Sequence, residues 1–414
     1  MNGRKDSGLW TKNFTIITVG TAVSLFGNAI AGFATGLLVL DYTGSTFMFA
    51  LYMILFQFPQ IVMPTLSGPY LDKFSRRRAI YTLDFFSAAI YGLFGLIMLK
   101  GEINYLLMAV GGALLGAVNS VYQVAYDSFY PMLIPEGYMT KAYSVASTME
   151  SMIMIVTPLS VYLYHKIGIA PLFFINMICY FIAACFETRI RAEESYTIKK
   201  DERFGLKQYT ETFREGMEYL RSEKGLMAVA LYFTVLAFTG GTYQIVVLPY
   251  FRETHGEWGE YLFLFIGGAM ILGRILASLF HYRHKMPEDR KFVIAFIVYA
   301  CTALIEGFYL YLPIILTMVF AMVDGMIGVT SYNIRISTTQ AYVPDGKKAR
   351  FNGTFQMMNT VGMLVGQFVA GLLADRLPDK RLVVSVFAVI QFGFLWLLIY
   401  RRRADVSKIY NRSA

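Results

Sequence analysis

Charge is scarce in this chain. Only 16% of its 414 residues are Asp, Glu, Lys or Arg, against 56% hydrophobic ones, and a soluble domain carries about 25% charge. Cysteine is scarcer still. Cys179, Cys185 and Cys301 are an odd number, all within apolar runs and without metal-ligand spacing, so a disulfide framework and a zinc site are both excluded and the three read as small buried hydrophobes. There are four histidines, no Walker loop, no zinc motif and no nucleophile constellation, which argues against ATP hydrolysis or hydrolytic catalysis and implies no cofactor. The first apolar run is not followed by a small-residue cleavage pattern, so it is expected to be a retained helix.

What fills the chain instead is long apolar sequence. The mean hydropathy is +0.50, and nearly charge-free segments recur near 13–40, 46–71, 78–99, 103–126, 138–165, 169–188, 225–250, 258–281, 290–311, 313–335, 350–374 and 381–400. Each is long enough to cross a hydrocarbon core of about 30 Å as a helix. A β-barrel would show alternating segments of about 10 residues, so the expected class is an all-α membrane protein with twelve transmembrane helices.

The net charge of +9 could suggest nucleic acid, and its distribution excludes that. Most of the Lys and Arg fall in the loops on the side of the two termini, with Arg274 and Arg335 inside helices. This skew is the positive-inside rule. It predicts cytoplasmic termini, a multi-pass protein of the cell membrane and contact with anionic lipid. The run Arg401 to Arg403 reads as a stop anchor.

The polar stretch 189–224 divides the chain into 1–188 and 225–414, two sets of six segments joined by a cytoplasmic linker. Shifting by 209 residues lays "IPEGYMTKAYSV" (134–145) on "VPDGKKARFNGT" (343–354), so that Pro135, Gly137 and Lys141 meet Pro344, Gly346 and Arg350. Parallel halves are what a transporter with alternating access uses, with its site near the midplane. Within the linker, Leu206, Tyr209, Phe213, Met217 and Leu220 recur at helical spacing among charges, which predicts an amphipathic surface helix.

The stretch "SGPYLDKFSRRRAIYTLD" (67–84) carries Gly68, Asp72, Lys73, Arg76 and Arg77 as G-x-x-x-D-K-x-x-R-R after the second segment. This resembles the loop signature of the major facilitator superfamily, and with twelve segments, a long middle loop and two repeated halves the resemblance covers nearly the whole chain. It implies two pseudo-symmetric six-helix bundles and a monomer. It also implies that Asp72 meets the start of the eleventh helix, near Arg350 and Phe351, to close an inner gate. A second copy-like stretch, "GLLADRLPDKR" (371–381), falls outside by helix counting and reads as an exterior turn.

The run "LLGAVNSVYQVAYDSFYPMLIPEG" together with "FREGMEYLRSEKGL" is similar to the drug-efflux branch that includes macrolide efflux permeases and siderophore exporters. Two departures are visible: the fourth helix lacks the arginine of the proton-antiporter signature, and Thr157-Pro158 stands where exporters usually have a glycine-rich motif.

Intramembrane acids are costly and functional by default. Glu150 and Asp324 count to mid-helix on helices that line the family's cavity, and are the expected carriers of protons or of a cationic substrate. Asp84 and Glu306, on peripheral helices, are expected to be structurally paired, and Arg274 to be a charge partner. Asn28, Asn119, Gln123, Tyr126, Tyr243, Gln244, Asn359 and Gln367 add polar groups to lining helices rich in Phe, Tyr and Met, a mixture suited to an amphipathic organic substrate. The expected function is proton-coupled efflux of such compounds. A metabolite, siderophore or lysolipid carrier, possibly working in uptake, and a non-transporting scaffold or receptor remain alternatives.

Overall fold

The protein was analysed as a computed structural model, which describes residues 8–71, 74–102, 104–135, 138–192, 194, 206–284 and 286–411. Among them there is no strand. Fifteen α-helices follow in order: α1 Lys12–Thr43, α2 Thr46–Gln57, α3 Pro59–Leu71, α4 Arg76–Leu99, α5 Tyr105–Phe129, α6 Met139–Ile167, α7 Ile169–Glu187, α8 Leu206–Ser222, α9 Lys224–His255, α10 Glu257–Arg283, α11 Lys291–Phe308, α12 Ile314–Tyr342, α13 Asp345–Ala374, α14 Lys380–Phe394 and α15 Arg403–Tyr410. Eleven segments among the described residues are long and apolar enough to cross a membrane. The twelfth expected one is α6, whose 29 residues also suffice in length.

Local chemistry sets the boundaries. Thr11, Ser75, Asn104 and Asp379 cap the starts of α1, α4, α5 and α14 by accepting from the backbone N–H of Phe14, Arg78, Leu106 and Arg381, which satisfies donors a helix start leaves open. The single run expected over 46–71 is interrupted at Phe58, because Pro59 has no N–H to give to the ladder. From Arg403, the last of the three arginines, the chain forms α15, whose Val406, Ile409 and Tyr410 are buried.

The chain separates into two compact units. Unit 1 takes the described residues within Met1–Gly44 and Tyr52–Lys207, and unit 2 those within Ser45–Leu51 and Gln208–Ala414. In unit 1, α7 packs on α1 and α4, α6 on α1, and α5 on α3 and α4. In unit 2, α9 packs on α13, α14 and α10, and α12 on α10 and α11.

Glycines allow the closest of these approaches. A Cβ on Gly116 of α5 would stand 2.0 Å from the carbonyl oxygen of Phe56, and one on Gly366 of α13 would stand 1.9 Å from that of Phe238. The pairs Gly112/Gly116 and Gly362/Gly366 thus sit where helix backbones meet, as small residues four apart allow.

The helix α8 belongs to unit 2 from Gln208 onward. Leu220 is fully buried in the core with Tyr232 and Phe355, Gly216 lies against Arg350 and Thr354 of α13, and Arg350 pairs with Glu215 at 3.0 Å. α13 starts at Asp345, more than a turn before the Arg350 and Phe351 expected at its tip.

Candidate functional site

Unit 1 encloses a cavity of about 570 Å³, within the range of pockets that hold small organic molecules. Helix periodicity builds its walls. On α5, Met108, Gly112, Leu115, Asn119 and Gln123 recur at spacings of four, three, four and four, so that one face lines the cavity. On α1 the lining positions are Leu25, Asn28, Ala29, Gly32, Phe33 and Thr35. Tyr52, Met53 and Phe56 of α2 and Tyr91, Phe94 and Met98 of α4 complete an aromatic and methionine-rich wall. Three of the expected lining residues, Asn28, Asn119 and Gln123, thus share one cavity. Asn28 donates to the Tyr180 hydroxyl at 2.5 Å, and Gln123 to Asp127 at 2.7 Å.

Asn28, Asn119, Gln123, Ser87 and Tyr180 also border a smaller chamber of about 100 Å³, walled by Thr21, Ser24, Asp84, Tyr122 and Tyr126. Asp84 is 1% exposed and Glu187 fully buried. They sit on α4 and α7, which pack together. Asp84 Oδ2, both Glu187 oxygens and the hydroxyls of Thr21, Tyr122 and Tyr126 have no protein hydrogen-bond partner among the described residues. Tyr122, Tyr126 and Tyr130 stack in succession along α5 at 6.0 and 5.1 Å.

Unit 2 holds a similar arrangement with almost no free space. Asp324, Glu306, Tyr243, Tyr309 and Met270 surround a cleft of about 10 Å³, too small for an organic molecule. Asp324 is 9% exposed, its Oδ1 has no donor among the described residues, and Arg274 is near enough for its charge to act on it. Glu306, expected to be structurally paired, borders the same cleft as Asp324. Gln367 and Gln244, expected as separate lining groups, bond each other across α13 and α9 at 2.8 Å. Asn359 keeps a buried amide oxygen without a partner among the described residues.

Of the loop signature, Asp72 and Lys73 lie outside the described residues, and Gly68 is within α3. The arginines hold helix ends together: Arg76 donates to the carbonyl of Ser128 at 3.1 Å, and Arg77 to that of Ile190 at 2.5 Å. Glu194, which no sequence pattern singled out, accepts from the Ser75 hydroxyl at 2.6 Å and the Arg76 N–H at 2.8 Å. Glu150 falls within α6, and its side chain lies outside the described residues.

The stretch 371–381 is more than a turn. In unit 2, the Asp375 carboxylate accepts from the backbone N–H of Thr46 at 2.8 Å and of Phe47 at 3.1 Å, and from the Ser45 hydroxyl. It therefore caps the start of α2. Gly371 lies against Ala50 and Phe47.

Comparison with known proteins agrees with this architecture. The chain is 22% identical over 284 residues to macrolide efflux protein A of Streptococcus pyogenes, covering 67% of this chain and 69% of that protein. It is 20% identical over 287 residues to the uncharacterized MFS-type transporter YkuC of Bacillus subtilis (strain 168), covering 66% of each. Among solved structures, the peptide transporter POT, in a mutant form, superposes with a TM-score of 0.69 at 11% identity over 97% of both chains. A bacterial homologue of the iron transporter ferroportin in an inward-facing state gives 0.68 at 14% over 94% of this chain and 98% of that one. The nucleoside transporter NupG gives 0.64 at 12% over 95% and 99%. The family model of the Major Facilitator Superfamily matches residues 17–367, most of the chain, and the protein belongs to that superfamily of membrane transporters.

Proposed function

We propose that the protein exports amphipathic organic compounds of the drug or macrolide type, in exchange for protons, by alternating access of its two halves. The cavity of unit 1 carries this reading. Its volume of about 570 Å³ suits a molecule of drug size. Tyr, Phe and Met side chains offer stacking, cation-π contact and an adaptable surface, while Asn28, Asn119 and Gln123 orient polar groups. The likeness to macrolide efflux protein A supports an exporter. On this reading the termini face the cytoplasm, Asp72 closes the inner side, and Glu150 and Asp324 carry protons.

The test is transport by the purified protein in liposomes under an imposed proton gradient, with erythromycin and tetraphenylphosphonium as probes. Gradient-driven movement of at least one compound is expected. Asn119→Phe, which fills the cavity, should reduce it at least about tenfold, or about 1.4 kcal/mol of binding. Movement unaffected by the filled cavity, or none under any gradient, would refute the reading.

A further inference from the structure

A groove of unit 2, well away from the cavity of unit 1 in the chain, has no role in the reading above. It measures about 520 Å³, large enough for a small organic molecule or one alkyl chain. Helix periodicity builds it. On α10 the lining positions Ala277, Phe280, His281 and His284 fall at spacings of three, one and three, α12 repeats that spacing from Val323 to Thr330, and Ile294 and Val298 of α11 form the third wall. α12 packs on both α10 and α11, whereas α10 and α11 make little contact with each other among the described residues. The groove is therefore the gap between α10 and α11, with α12 as its floor.

That floor is firmly joined to α10. One turn before Ala277, a Cβ on Gly273 would stand 1.9 Å from the Met322 carbonyl oxygen, and one on Gly325 would stand 1.9 Å from that of Met270, so the two helices meet backbone to backbone. Thr330 gives its hydroxyl hydrogen to the Met326 carbonyl at 3.0 Å. The contact of 2.9 Å between Thr330 and His281 Nε2 is then a donation from the imidazole, which ties α10 to α12 a second time. These polar groups are used between the helices, and the remaining walls on α11 and α12 are apolar.

The surroundings say what fills the gap. Beside it, Leu279 and Phe280 of α10 and Val293 and Ile297 of α11 are each more than half exposed, and in a membrane-spanning chain such an apolar face lies against acyl chains. One end of the groove is basic. Met286 and Pro287, in the connection from α10 to α11, line it; Arg283 and His284 precede them, and Arg290 and Lys291 follow. Asp289 pairs with Arg290 at 3.7 Å, and Arg283 and Lys291 make no ion pair among the described residues, which sets two cations against Glu288 alone. His284 donates from Nδ1 to the Phe280 carbonyl at 3.3 Å and stacks on the Phe280 ring at 4.7 Å, so that its Nε2 is left for another partner. The connection lies on the side of the C-terminal helix, since the Phe292 N–H donates to Asn411 at 2.9 Å. Basic pockets between transmembrane helices hold anionic headgroups.

We propose that the groove is a binding site for an anionic glycerophospholipid of the bilayer. One acyl chain lies on α12 between α10 and α11, and the phosphate meets Arg283, His284 and Lys291. The bound chain supplies the packing that α10 and α11 do not give each other, so the lipid is a structural ligand of unit 2. The site does not depend on what the cavity of unit 1 carries.

The test is photolabelling of the full-length protein in detergent with phosphatidylglycerol that carries a diazirine in one acyl chain, the labelled positions being mapped by mass spectrometry. Labelling concentrated on residues 277–298 and 323–330 is expected. Unlabelled phosphatidylglycerol should displace it at least about tenfold more effectively than phosphatidylcholine, given the two unpaired cations at the headgroup. Free glycerol 3-phosphate should not displace it. Val298→Trp, which fills the groove from α11, should reduce labelling at least about tenfold, equivalent to the loss of about two buried methylene groups, while Leu304→Trp, at an exposed position of α11 outside the groove, should not. Labelling spread evenly over the lipid-facing helices, equal displacement by the two lipids, or full labelling of a folded Val298→Trp overturns the proposal. Displacement by glycerol 3-phosphate overturns it in favour of a soluble phosphate ester. The wild-type displacement decides the matter even where the filled variant does not fold.

Discussion

Gly116 and Gly32 provide a matched test of how the cavity is built. Both are helical, and Gly112, one turn before Gly116, and Gly32 itself line the cavity. A Cβ at Gly116 would lie 2.0 Å from the Phe56 carbonyl oxygen, whereas one at Gly32 meets nothing within 4 Å. Ordinary contact begins at 3.4 Å, so Gly116→Ala must separate α5 from α2 by about 3.4 − 2.0 = 1.4 Å. The clashing atom is backbone, and rotamer adjustment cannot relieve it. Overpacking of this kind costs about 1–3 kcal/mol, here at the upper end, against a gain of up to about 1 kcal/mol from replacing glycine in a helix. A net loss of about 1–2 kcal/mol is expected. Gly32→Ala should keep the propensity gain and instead crowd the cavity. Thermal unfolding in detergent, paired with probe binding, separates the two: Gly116→Ala lowers Tm, and Gly32→Ala leaves Tm unchanged or raised while weakening binding. Equal stability of the two variants would refute the close approach of α5 to α2 and the reasoning built on it.

Two further outcomes concern the stretch 371–381. Asp375→Ala removes the cap of α2 and should cost about 0.5–2 kcal/mol; Asp375→Asn, which can still accept, should cost less. A cysteine placed by Thr46→Cys, buried in the native protein, should be labelled faster in the alanine background, and an unchanged rate would refute the capping role. At the start of α14, the Arg381 guanidinium holds the Asp379 carboxyl below its usual value of 3.8 by hydrogen bonds. A carboxyl lowered in the folded protein stabilises it above 3.8 and loses that contribution as pH falls through the folded value. Asp379→Asn should therefore lower Tm at neutral pH, and its unfolding curve should converge with that of the wild type as the medium is acidified below the usual carboxylate range.

Most of the architecture was legible because bilayer-spanning helices announce themselves through length and hydropathy alone. The helical spacing of apolar residues in α8 is a local pattern that needs no tertiary context. The polar lining of α5 was legible for the same reason, since Met108 to Gln123 repeat with the helix period. What a periodic reading misses is which faces are opposed. Gln244 and Gln367 look like two lining amides until α9 and α13 are packed and the amides meet. The break at Phe58 was signalled by Pro59, yet α15 was hidden behind Arg401 to Arg403, where three charges overshadow the apolar Val406, Ile409 and Tyr410.

The acids mark the same limit more sharply. A reading of separate helices put Asp84 on a peripheral one and gave it a structural partner of unspecified kind. It could not show which turn of α4 the end of α7 packs against, because that register is set by packing and not by hydropathy. Asp324 and Glu306 repeat the case in unit 2, where two acids on adjacent helices share Tyr243 and Tyr309. Their cleft of about 10 Å³ has no room for an organic ligand, whereas the chamber beside Asp84 opens on a cavity that does. Free space, which no sequence pattern encodes, therefore separates an acid that borders an open chamber from a pair of acids that has almost none.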